Sequence, residues 1–364
     1  MRNYAYIQMK KRMVKLAKEQ KKPILGHFEL TSRCNLDCKM CYVHTKNHGE
    51  VCDNELSTAQ WKQIFDEAVE CGMSYAYLTG GECLVRKDFK ELYLHLWNKR
   101  LMVSVQTNGT LLNDEYIEFF KTYHPDAIRI SLYGSNEDGY LKVTGHKGFE
   151  KTIAAITGLQ KAGVDVSVAV TPSKYMLGDY VEILTLCKEK GFDVLYNELT
   201  LLPNRTDSGK TDYFMNDEEM LLVSRQREEM RRKLTPRGNT PSPQGNMRMD
   251  SAVGLTCNAG NCLAAVSWEG KMYPCLNAMV GGADVLKLGY AEAWKRTVEA
   301  AAQVIYGMEC VGCVYDKVCP KCPALRLTGL NTGHCNPAVC ELTRKLVAAG
   351  VKKLDAPVTS NCDE

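Results

Sequence analysis

The run Cys34-Asn35-Leu36-Asp37-Cys38-Lys39-Met40-Cys41-Tyr42 is the most informative stretch of this chain. Its cysteines follow the pattern C-x3-C-x2-C, and three thiolates can hold a four-iron cluster by three of its corners. The fourth iron then stays open for a ligand, whereas an ordinary electron carrier closes all four corners with cysteine. A zinc knuckle is the alternative, but tetrahedral zinc needs four ligands. No cysteine or histidine completes a familiar pair before His44, so the spacing favours the open cluster.

S-adenosylmethionine (AdoMet) is the ligand that fits an open iron, since its amino and carboxylate groups can chelate the metal. One electron then breaks a carbon-sulfur bond and leaves a 5'-deoxyadenosyl radical, so the cofactor supplies the chemistry and the protein positions it. On this cysteine pattern the chain resembles the radical SAM superfamily. Met40 stands where that family usually has an aromatic residue, and Tyr42 follows directly. The resemblance implies a [4Fe-4S] cluster on Cys34, Cys38 and Cys41, with Tyr42 beside AdoMet.

Composition limits the class of protein. The chain has 364 residues, a formal net charge of +3 and 17 cysteines. Near-balanced charge gives no sign of a nucleic-acid or membrane-surface partner. The N-terminal segment lacks the continuous apolar run of a signal peptide, and no stretch has the length of a membrane span. Without a secretion signal, so many cysteines indicate metal ligation in the reducing cytoplasm rather than a disulfide framework.

Short apolar runs alternate with amphipathic helical periods, which is typical of a parallel β/α architecture. The pattern predicts a capped helix before the second strand, with Ser57 and Gln60 forming a capping box, an apolar stripe from Trp61 to Val69, and an end at Gly72. Six strands are predicted: 24–30, 75–79, 101–106, 127–132, 164–170 and 193–199. We therefore expect an α/β fold, namely a partial (β/α)6 barrel with its site at the carboxyl ends of the strands.

Five regions are expected along the chain. They are an N-terminal helix (1–22), a radical SAM partial barrel (23–205), a connector helix and loop (206–256), a small C-terminal domain carrying iron-sulfur clusters (257–345), and a tail (346–364). The connector combines a charged helical stretch from Asn216 to Leu234 with a segment rich in Pro, Gly, Ser and Thr, which is typical of a linker.

Further candidate AdoMet contacts follow the predicted strands. Thr79-Gly80-Gly81-Glu82 resembles the family's G-G-E motif, in which glycines allow close backbone approach. The resemblance implies that Glu82 balances the charge of the methionine amino group. Asn108 ends the third strand, and a simple turn is an equal interpretation there. Ser131 ends the fourth strand at the position from which family members bond the ribose, although serine at a strand end is often only a turn former.

A second cysteine-rich region follows residue 256. Two short apolar runs around Glu269-Gly270 predict a β-hairpin. The spacing C-x12-G-x4-C, then C-x2-C-x5-C-x2-C and a late cysteine, resembles the SPASM extension of radical SAM enzymes that act on peptides and proteins. The resemblance implies two auxiliary [4Fe-4S] clusters, one on Cys257, Cys262, Cys275 and Cys322 and the other on Cys310, Cys313, Cys319 and Cys340. The family more often spaces the last pair by three residues. Two zinc ribbons remain an alternative.

Two cysteines outside these sets are candidate catalytic thiols. Cys83 follows the G-G-E motif, where the family commonly has proline, and Cys335 precedes the last helix. A thiol near the radical can donate a hydrogen atom to a substrate radical. The bland interpretation of each, as a structural residue, stays open.

The expected reaction is hydrogen-atom abstraction, because no paired base and nucleophile is evident. The resemblance implies a maturase that installs a thioether or carbon-carbon crosslink in a ribosomally made peptide, supplied with electrons by a flavodoxin or ferredoxin. Only about two dozen residues precede the first strand, too few for an independent leader-binding domain. Leader recognition is therefore expected from the barrel, from the loop near Thr235, or from a separate protein.

Three alternatives remain. The first is a peptide epimerase that uses a thiol hydrogen donor. The second is a sulfatase-type formylglycine maturase, which that family's pattern disfavours because it has Asp where this chain has Leu276. The third is a non-enzymatic electron-transfer or zinc protein, which the open iron and Glu82 disfavour.

Overall fold

Alternating strands and amphipathic helices build this fold, as a computed structural model of the chain shows. The structure describes residues 4–43, 54–196, 212–234, 254–305, 311–315, 318–319 and 337–354. The helices in these ranges are α1 (Tyr4–Glu19), α2 (Thr58–Glu70), α3 (Phe89–Asn98), α4 (Asp114–Thr122), α5 (Glu137–Thr144), α6 (Phe149–Lys161), α7 (Tyr180–Glu189), α8 (Asp217–Leu234), α9 (Val285–Leu288), α10 (Tyr290–Ala302) and α11 (Pro337–Ala348).

The strands are β1 (Leu25–Glu29), β2 (Tyr75–Thr79), β3 (Met102–Thr107), β4 (Ala127–Ser131), β5 (Val166–Val170), β6 (Val194–Tyr196), β7 (Leu263–Val266), β8 (Lys271–Tyr273) and β9 (Ala283–Asp284). Across the described residues they form one sheet in the order β6-β5-β4-β3-β2-β1-β7-β8-β9. Strands β1 to β6 are parallel neighbours in chain order. The predicted six-stranded parallel core is therefore confirmed.

Helix α2 shows why the local sequence folds as predicted. Ser57 and Gln60 form the reciprocal capping box, with Ser57 N donating to Gln60 Oε1 at 2.8 Å. The apolar stripe packs on β1, where the Phe28 and Phe65 ring centroids lie 5.0 Å apart, edge to face. Backbone φ of +94° at Gly72 follows the helix end, a conformation that favours glycine.

The two faces of the parallel sheet differ because side chains alternate along each strand. One face is apolar and fully buried under the helices; it includes Phe28, Leu78, Val105, Ile128 and Val168. The other, called the polar face here, includes His27, Tyr77, Ser104, Gln106, Arg129, Ser131 and Ser167. His27, Gln106, Arg129 and Ser131 are only half-buried, so the polar face is partly accessible.

The predicted C-terminal hairpin is present, and it pairs with the parallel core of the sheet. Strands β7 and β8 pair antiparallel around Glu269 and Gly270, as predicted. Strand β7 also pairs in parallel with β1, with Leu25 opposite Leu263. The hairpin thus covers the edge of β1 that the six-stranded core leaves open, which satisfies its backbone groups. The domain boundary expected at residue 257 stays a prediction. The strands before and after that residue belong to one sheet.

Helices α8 and α11 connect the last part of the chain to the core. The α11 residue Lys345 pairs with Asp217 at the start of α8, with 2.6 Å between Nζ and Oδ2. Beyond α11, Lys352 Nζ donates to Val318 O at 2.7 Å. No helix in the described ranges is both long and apolar enough to cross a membrane.

Candidate active site

Two loops meet at the carboxyl ends of β1 and β2. Gly81 N donates to Thr31 O at 2.8 Å, and Glu82 N donates to Arg33 O at 2.8 Å. A Cβ at Gly81 would lie 2.6 Å from Ser32 O, inside any normal contact. The glycine pair is therefore needed because the backbone that leads to Cys34 presses directly against it. This contact fixes where the Cys34 loop leaves the sheet.

We expect Gly81→Ala to destabilise this junction. The added methyl must displace backbone rather than a flexible side chain, and overpacking of this kind costs about 1–3 kcal/mol. The midpoint of thermal unfolding of the apoprotein should fall by several degrees, and iron retention after reconstitution should fall with it. Gly178→Ala is the matched control, because nothing lies within 4 Å of a Cβ built there. Equal behaviour of the two variants would contradict this account of the glycine pair.

Glu82 is the buried acid of the site, at 1% exposure. Its Oε1 accepts from Thr107 Oγ1 at 2.8 Å and from Leu84 N at 3.1 Å, and its Oε2 accepts from Asn108 N at 2.6 Å. Burial raises the pKa of Glu82, and these hydrogen bonds oppose the shift. None of the ion pairs within the described ranges includes Glu82. A buried carboxylate of this kind is complementary to a small cation such as an ammonium group.

Asn108 joins Glu82 to the cysteine loop. Its side-chain Nδ2 donates to Asn35 Oδ1 at 2.9 Å and lies 3.9 Å from Cys34 Sγ. Its Oδ1 accepts from Thr110 N at 2.9 Å, which fixes the orientation of the amide. The sequence offered a turn as an equal interpretation of this residue. The observed contacts connect the third strand to the Cys34 loop through one side chain.

Cys34, Cys38 and Cys41 lie half-buried on one loop after β1. Burial and the nearby Glu82 carboxylate raise the pKa of Cys34 to about 12, with Cys41 adding to the shift. Burial also raises the pKa of Cys38, and the charges of Cys41 and Cys34 contribute. The three thiols are thus electrostatic neighbours, and a cationic metal group would reverse these shifts.

The donor set fits an iron-sulfur cluster. Leu36 N donates to Cys34 Sγ at 3.4 Å, and hydrogen bonds to sulfur are among the protein's means of tuning such a cluster. No three Cys, His, Asp or Glu side chains in the described ranges are close enough to share one metal ion. A four-iron cluster has no such requirement, because each thiolate binds its own iron.

Ser131 and Tyr42 are two further residues of the predicted AdoMet site. Ser131 ends β4 on the polar face, and two residues later comes Tyr133, a residue that the sequence did not single out. Burial and the charges of Cys38 and Cys41 raise the pKa of Tyr133, so its ring lies near the cysteine loop. Tyr42 is half-buried next to Cys41. The signal for Tyr133 was its place just past a strand end.

Cys83 lies in the core beneath the G-G-E turn. It is fully buried, its thiol donates to Gln106 O at 3.4 Å, and burial raises its pKa well above that of a free thiol. A substrate radical has no exposed thiol to meet at this position. Cys335, the second candidate thiol, falls outside the described residues.

Three of the predicted auxiliary ligands come together at the other end of β1. Cys262 is buried, and its backbone carbonyl accepts from Leu25 N at 3.0 Å. Burial raises the pKa of Cys262 to about 11, and Cys257 contributes to the shift. Cys275 packs against the apolar cluster that contains Cys262 and, together with Cys257, against a second one.

Helix α1 holds this end of the sheet in place, which the sequence did not predict. Lys18 donates to Thr256 O and Lys21 to Asn261 Oδ1, and Trp294 Nε1 donates to Lys21 O at 2.8 Å. Among the other predicted ligands, Cys313, Cys319 and Cys340 are described and half-buried, whereas Cys310 and Cys322 fall outside the described residues.

The chain is similar to proteins of known activity. A family model described as the Radical SAM superfamily matches residues 28–173. The AdoMet-dependent heme synthase of Methanosarcina barkeri is 28% identical over 329 residues, which cover 83% of this chain and 91% of that protein. Mycofactocin maturase MftC of Mycobacterium tuberculosis is 26% identical over 283 residues, which cover 76% of this chain and 71% of that protein.

The fold is also that of a solved structure. Native anSMEcpe with bound AdoMet and Cp18Cys peptide matches with a TM-score of 0.68 at 17% identity, over 90% of this chain and 98% of that chain. At this low identity the match concerns the fold alone.

Proposed function

Because this chain belongs to the radical SAM superfamily and is an enzyme, we propose that it installs a thioether or carbon-carbon crosslink in a ribosomally made peptide. The observation that carries this proposal is the placement of cysteines at both ends of β1. The Cys34 loop leaves the carboxyl end of β1. At the amino end of this strand, Leu25 N donates a hydrogen bond to the backbone carbonyl of Cys262. A five-residue strand separates these ends by about 17 Å.

The residues between these ends suit a substrate site. The polar face of the sheet extends from one end to the other and is partly accessible at His27, Gln106, Arg129 and Ser131. A substrate bound on this face would lie between the proposed AdoMet contacts at one end and the auxiliary cysteines at the other. Such an arrangement supports a two-electron oxidation, in which a hydrogen atom would leave towards the AdoMet end, an electron towards the auxiliary cysteines, and the second hydrogen as a proton to water.

The chain's own residues would bind and orient the cofactors. Cys34, Cys38 and Cys41 would hold a [4Fe-4S] cluster, and when bound the cluster and AdoMet supply a 5'-deoxyadenosyl radical that abstracts a hydrogen atom from substrate. Glu82 would bind the methionine ammonium, and Ser131 would bond the ribose. Asn108 would keep the Glu82 carboxylate and the Cys34 loop in register through its contacts with both.

The remaining cofactors and partners belong to the same proposal. Two auxiliary [4Fe-4S] clusters would use the sets headed by Cys257 and Cys310, and a flavodoxin or ferredoxin would supply electrons. A separate leader-binding protein is a further expected partner. The peptide substrate is supported by the similarity to a maturase, and the buried position of Cys83 disfavours an epimerase that would use this thiol.

We expect a product two hydrogens lighter than its precursor. The enzyme would be reconstituted without oxygen and incubated with AdoMet, reductant and a short precursor peptide encoded beside its gene, and the product analysed by tandem mass spectrometry. A crosslink by dehydrogenation removes two hydrogens. Deuterium at an α-carbon after reaction in heavy water would instead identify an epimerase.

A sulfatase-type activity has its own control. A short Cys-containing sulfatase peptide should give no aldehyde, because Leu276, itself buried, offers no base. Exchange of sulfur for oxygen in that peptide would contradict the crosslinking assignment.

A heme-forming reaction is the second candidate. It is favoured by similarity to the AdoMet-dependent heme synthase across most of both chains. The same reconstituted enzyme, supplied with an iron tetrapyrrole precursor in place of peptide, tests it by the absorbance and mass of heme. Heme formation would contradict the peptide proposal. A dehydrogenated peptide without heme formation would support the peptide proposal.

A further inference from the structure

Arg129 is a cation on the polar face that the proposed AdoMet contacts leave unused. It lies on β4 two residues before Ser131, and the two side chains share this face. Its guanidinium carbon is 5.3 Å from the centre of the Tyr77 ring, a cation-π distance. The Tyr77 ring in turn contacts His27 edge to face, with 4.8 Å between ring centroids. Arg129 is thus held in a half-buried aromatic setting with part of its surface accessible.

Arg129 has no anionic partner among the described residues. No ion pair or side-chain hydrogen bond among these residues involves its guanidinium, although arginine carries five N–H donors. Asp126 is already engaged by Lys10 at 3.3 Å and by Tyr6 at 2.6 Å. Glu29 is on β1, three strands from β4, or about 14 Å along the sheet.

The neighbouring histidine adds no charge to balance. Burial and the Arg129 guanidinium lower the pKa of His27 to about 4, so its imidazole is neutral at pH 7. Arg129 therefore has a neutral imidazole and an aromatic ring as neighbours, with Gln106 and Ser167 opposite it on the adjacent strands. Lys10 lies on the same Tyr77 ring, at 5.7 Å from its centre, and is paired with Asp126. A partly buried cation without an ion-pair partner retains donors that face the accessible side, so this position favours a ligand that brings an anion.

We propose that Arg129 binds a carboxylate of the substrate and so selects peptides with an acidic side chain near the reacting position. A guanidinium and a carboxylate match as a bidentate pair, which fixes orientation as well as charge. This inference rests on the proposed peptide function. AdoMet also carries a carboxylate, but Arg129 is poorly placed to bind that group. Arg129 lies about 7 Å further from the strand tips than Ser131, whereas Glu82 and Asn108 are at those tips.

The test compares two matched peptides on the reconstituted enzyme saturated with AdoMet. The probes are acetyl-Gly-Gly-Glu-Gly-Gly-amide and its Gln analogue, and binding is measured by anaerobic titration calorimetry. The Glu peptide should bind about 10–100-fold more tightly to the wild-type enzyme, the range expected for hydrogen bonds to a charged group. Arg129→Gln should abolish this preference, and Arg129→Lys should keep part of it.

Controls separate the other interpretations. Arg232→Gln removes a charge from an exposed helical position and should keep the full preference for Glu. AdoMet affinity is titrated in each variant; a loss in Arg129→Gln as large as the loss of peptide preference would assign the carboxylate to AdoMet and overturn the proposal. Equal affinities for the two peptides, or no binding of either, would overturn it as well.

The outcome for the proposed function is read separately. A Glu preference that depends on Arg129, without any dehydrogenated product from a precursor, would support the carboxylate site and contradict crosslinking. Crosslinking at an undiminished rate of a precursor whose carboxyl groups have all been amidated would support the crosslinking function and contradict the carboxylate site.

Discussion

Replacing Cys34, Cys38 and Cys41 together by Ala should abolish the cleavage of AdoMet to 5'-deoxyadenosine. The three thiols lie on one loop and influence one another's pKa, so they are placed to act as one ligand set. Anaerobically reconstituted wild-type enzyme should hold about twelve irons, four in each of three clusters. The triple variant should keep about two thirds of that iron. The measurements are iron and sulfide assays with chromatography of the nucleoside product.

A matched triple variant provides the control. Cys52, Cys71 and Cys362 belong to none of the predicted ligand sets, so their joint replacement by Ala should leave iron content and AdoMet cleavage unchanged. Residual cleavage in the Cys34, Cys38 and Cys41 variant would contradict the assignment of the open cluster. Stoichiometric zinc in wild-type protein purified without oxygen would contradict the assignment of the auxiliary sets.

Local signals in the sequence were sufficient for the parallel core. The capping box at Ser57 and the apolar stripe of α2 depend on residues three or four positions apart, and both appear in the structure as predicted. Strand β2 has the predicted bounds for the same reason, since its buried run is short and delimited by a glycine pair. Periodicity and capping determine such elements before any tertiary contact is known.

Local sequence patterns do not predict contacts between segments that are distant along the chain. The pairing of β7 with β1 joins residues about 240 positions apart, and nothing in either run specifies the other. The close approach of residues 31–33 to Gly81 is of the same kind. The G-G-E motif predicts that the glycines allow close approach to the ligand, and the structure shows that they also accommodate the neighbouring loop.

Which side chains are accessible at the site also depends on tertiary packing. Cys83 follows the G-G-E motif and was a candidate thiol on that basis, but its position in the core depends on how β2 and β3 pack together. Arg129 belongs to no sequence motif, so local signals do not mark it as a site residue. Its proposed role follows from the neighbours that the fold gives it, Tyr77 and His27, and from the absence of an ion pair between Arg129 and any described carboxylate.

Glu82→Gln should weaken AdoMet binding about 10–100-fold, the effect of removing a charged hydrogen-bond acceptor from a buried site. Glutamine keeps the volume of the side chain but presents an amide nitrogen to either Asn108 N or Leu84 N, both of which donate to Glu82 in the structure. Glu82→Ala is less informative, because it leaves three buried donors without an acceptor and so disturbs the protein itself.

Binding is best measured as the rise in unfolding temperature on adding AdoMet, which depends on ligand concentration relative to Kd. The wild-type enzyme should be stabilised at AdoMet concentrations that leave Glu82→Gln unchanged, while both proteins keep the same iron content. Glu115→Gln removes an equivalent charge from a side chain that is 75% exposed, and it should respond to AdoMet as the wild type does. If Glu82→Gln binds AdoMet normally, the ammonium of the cofactor is held elsewhere and the buried carboxylate serves only to fix the loops around Asn108.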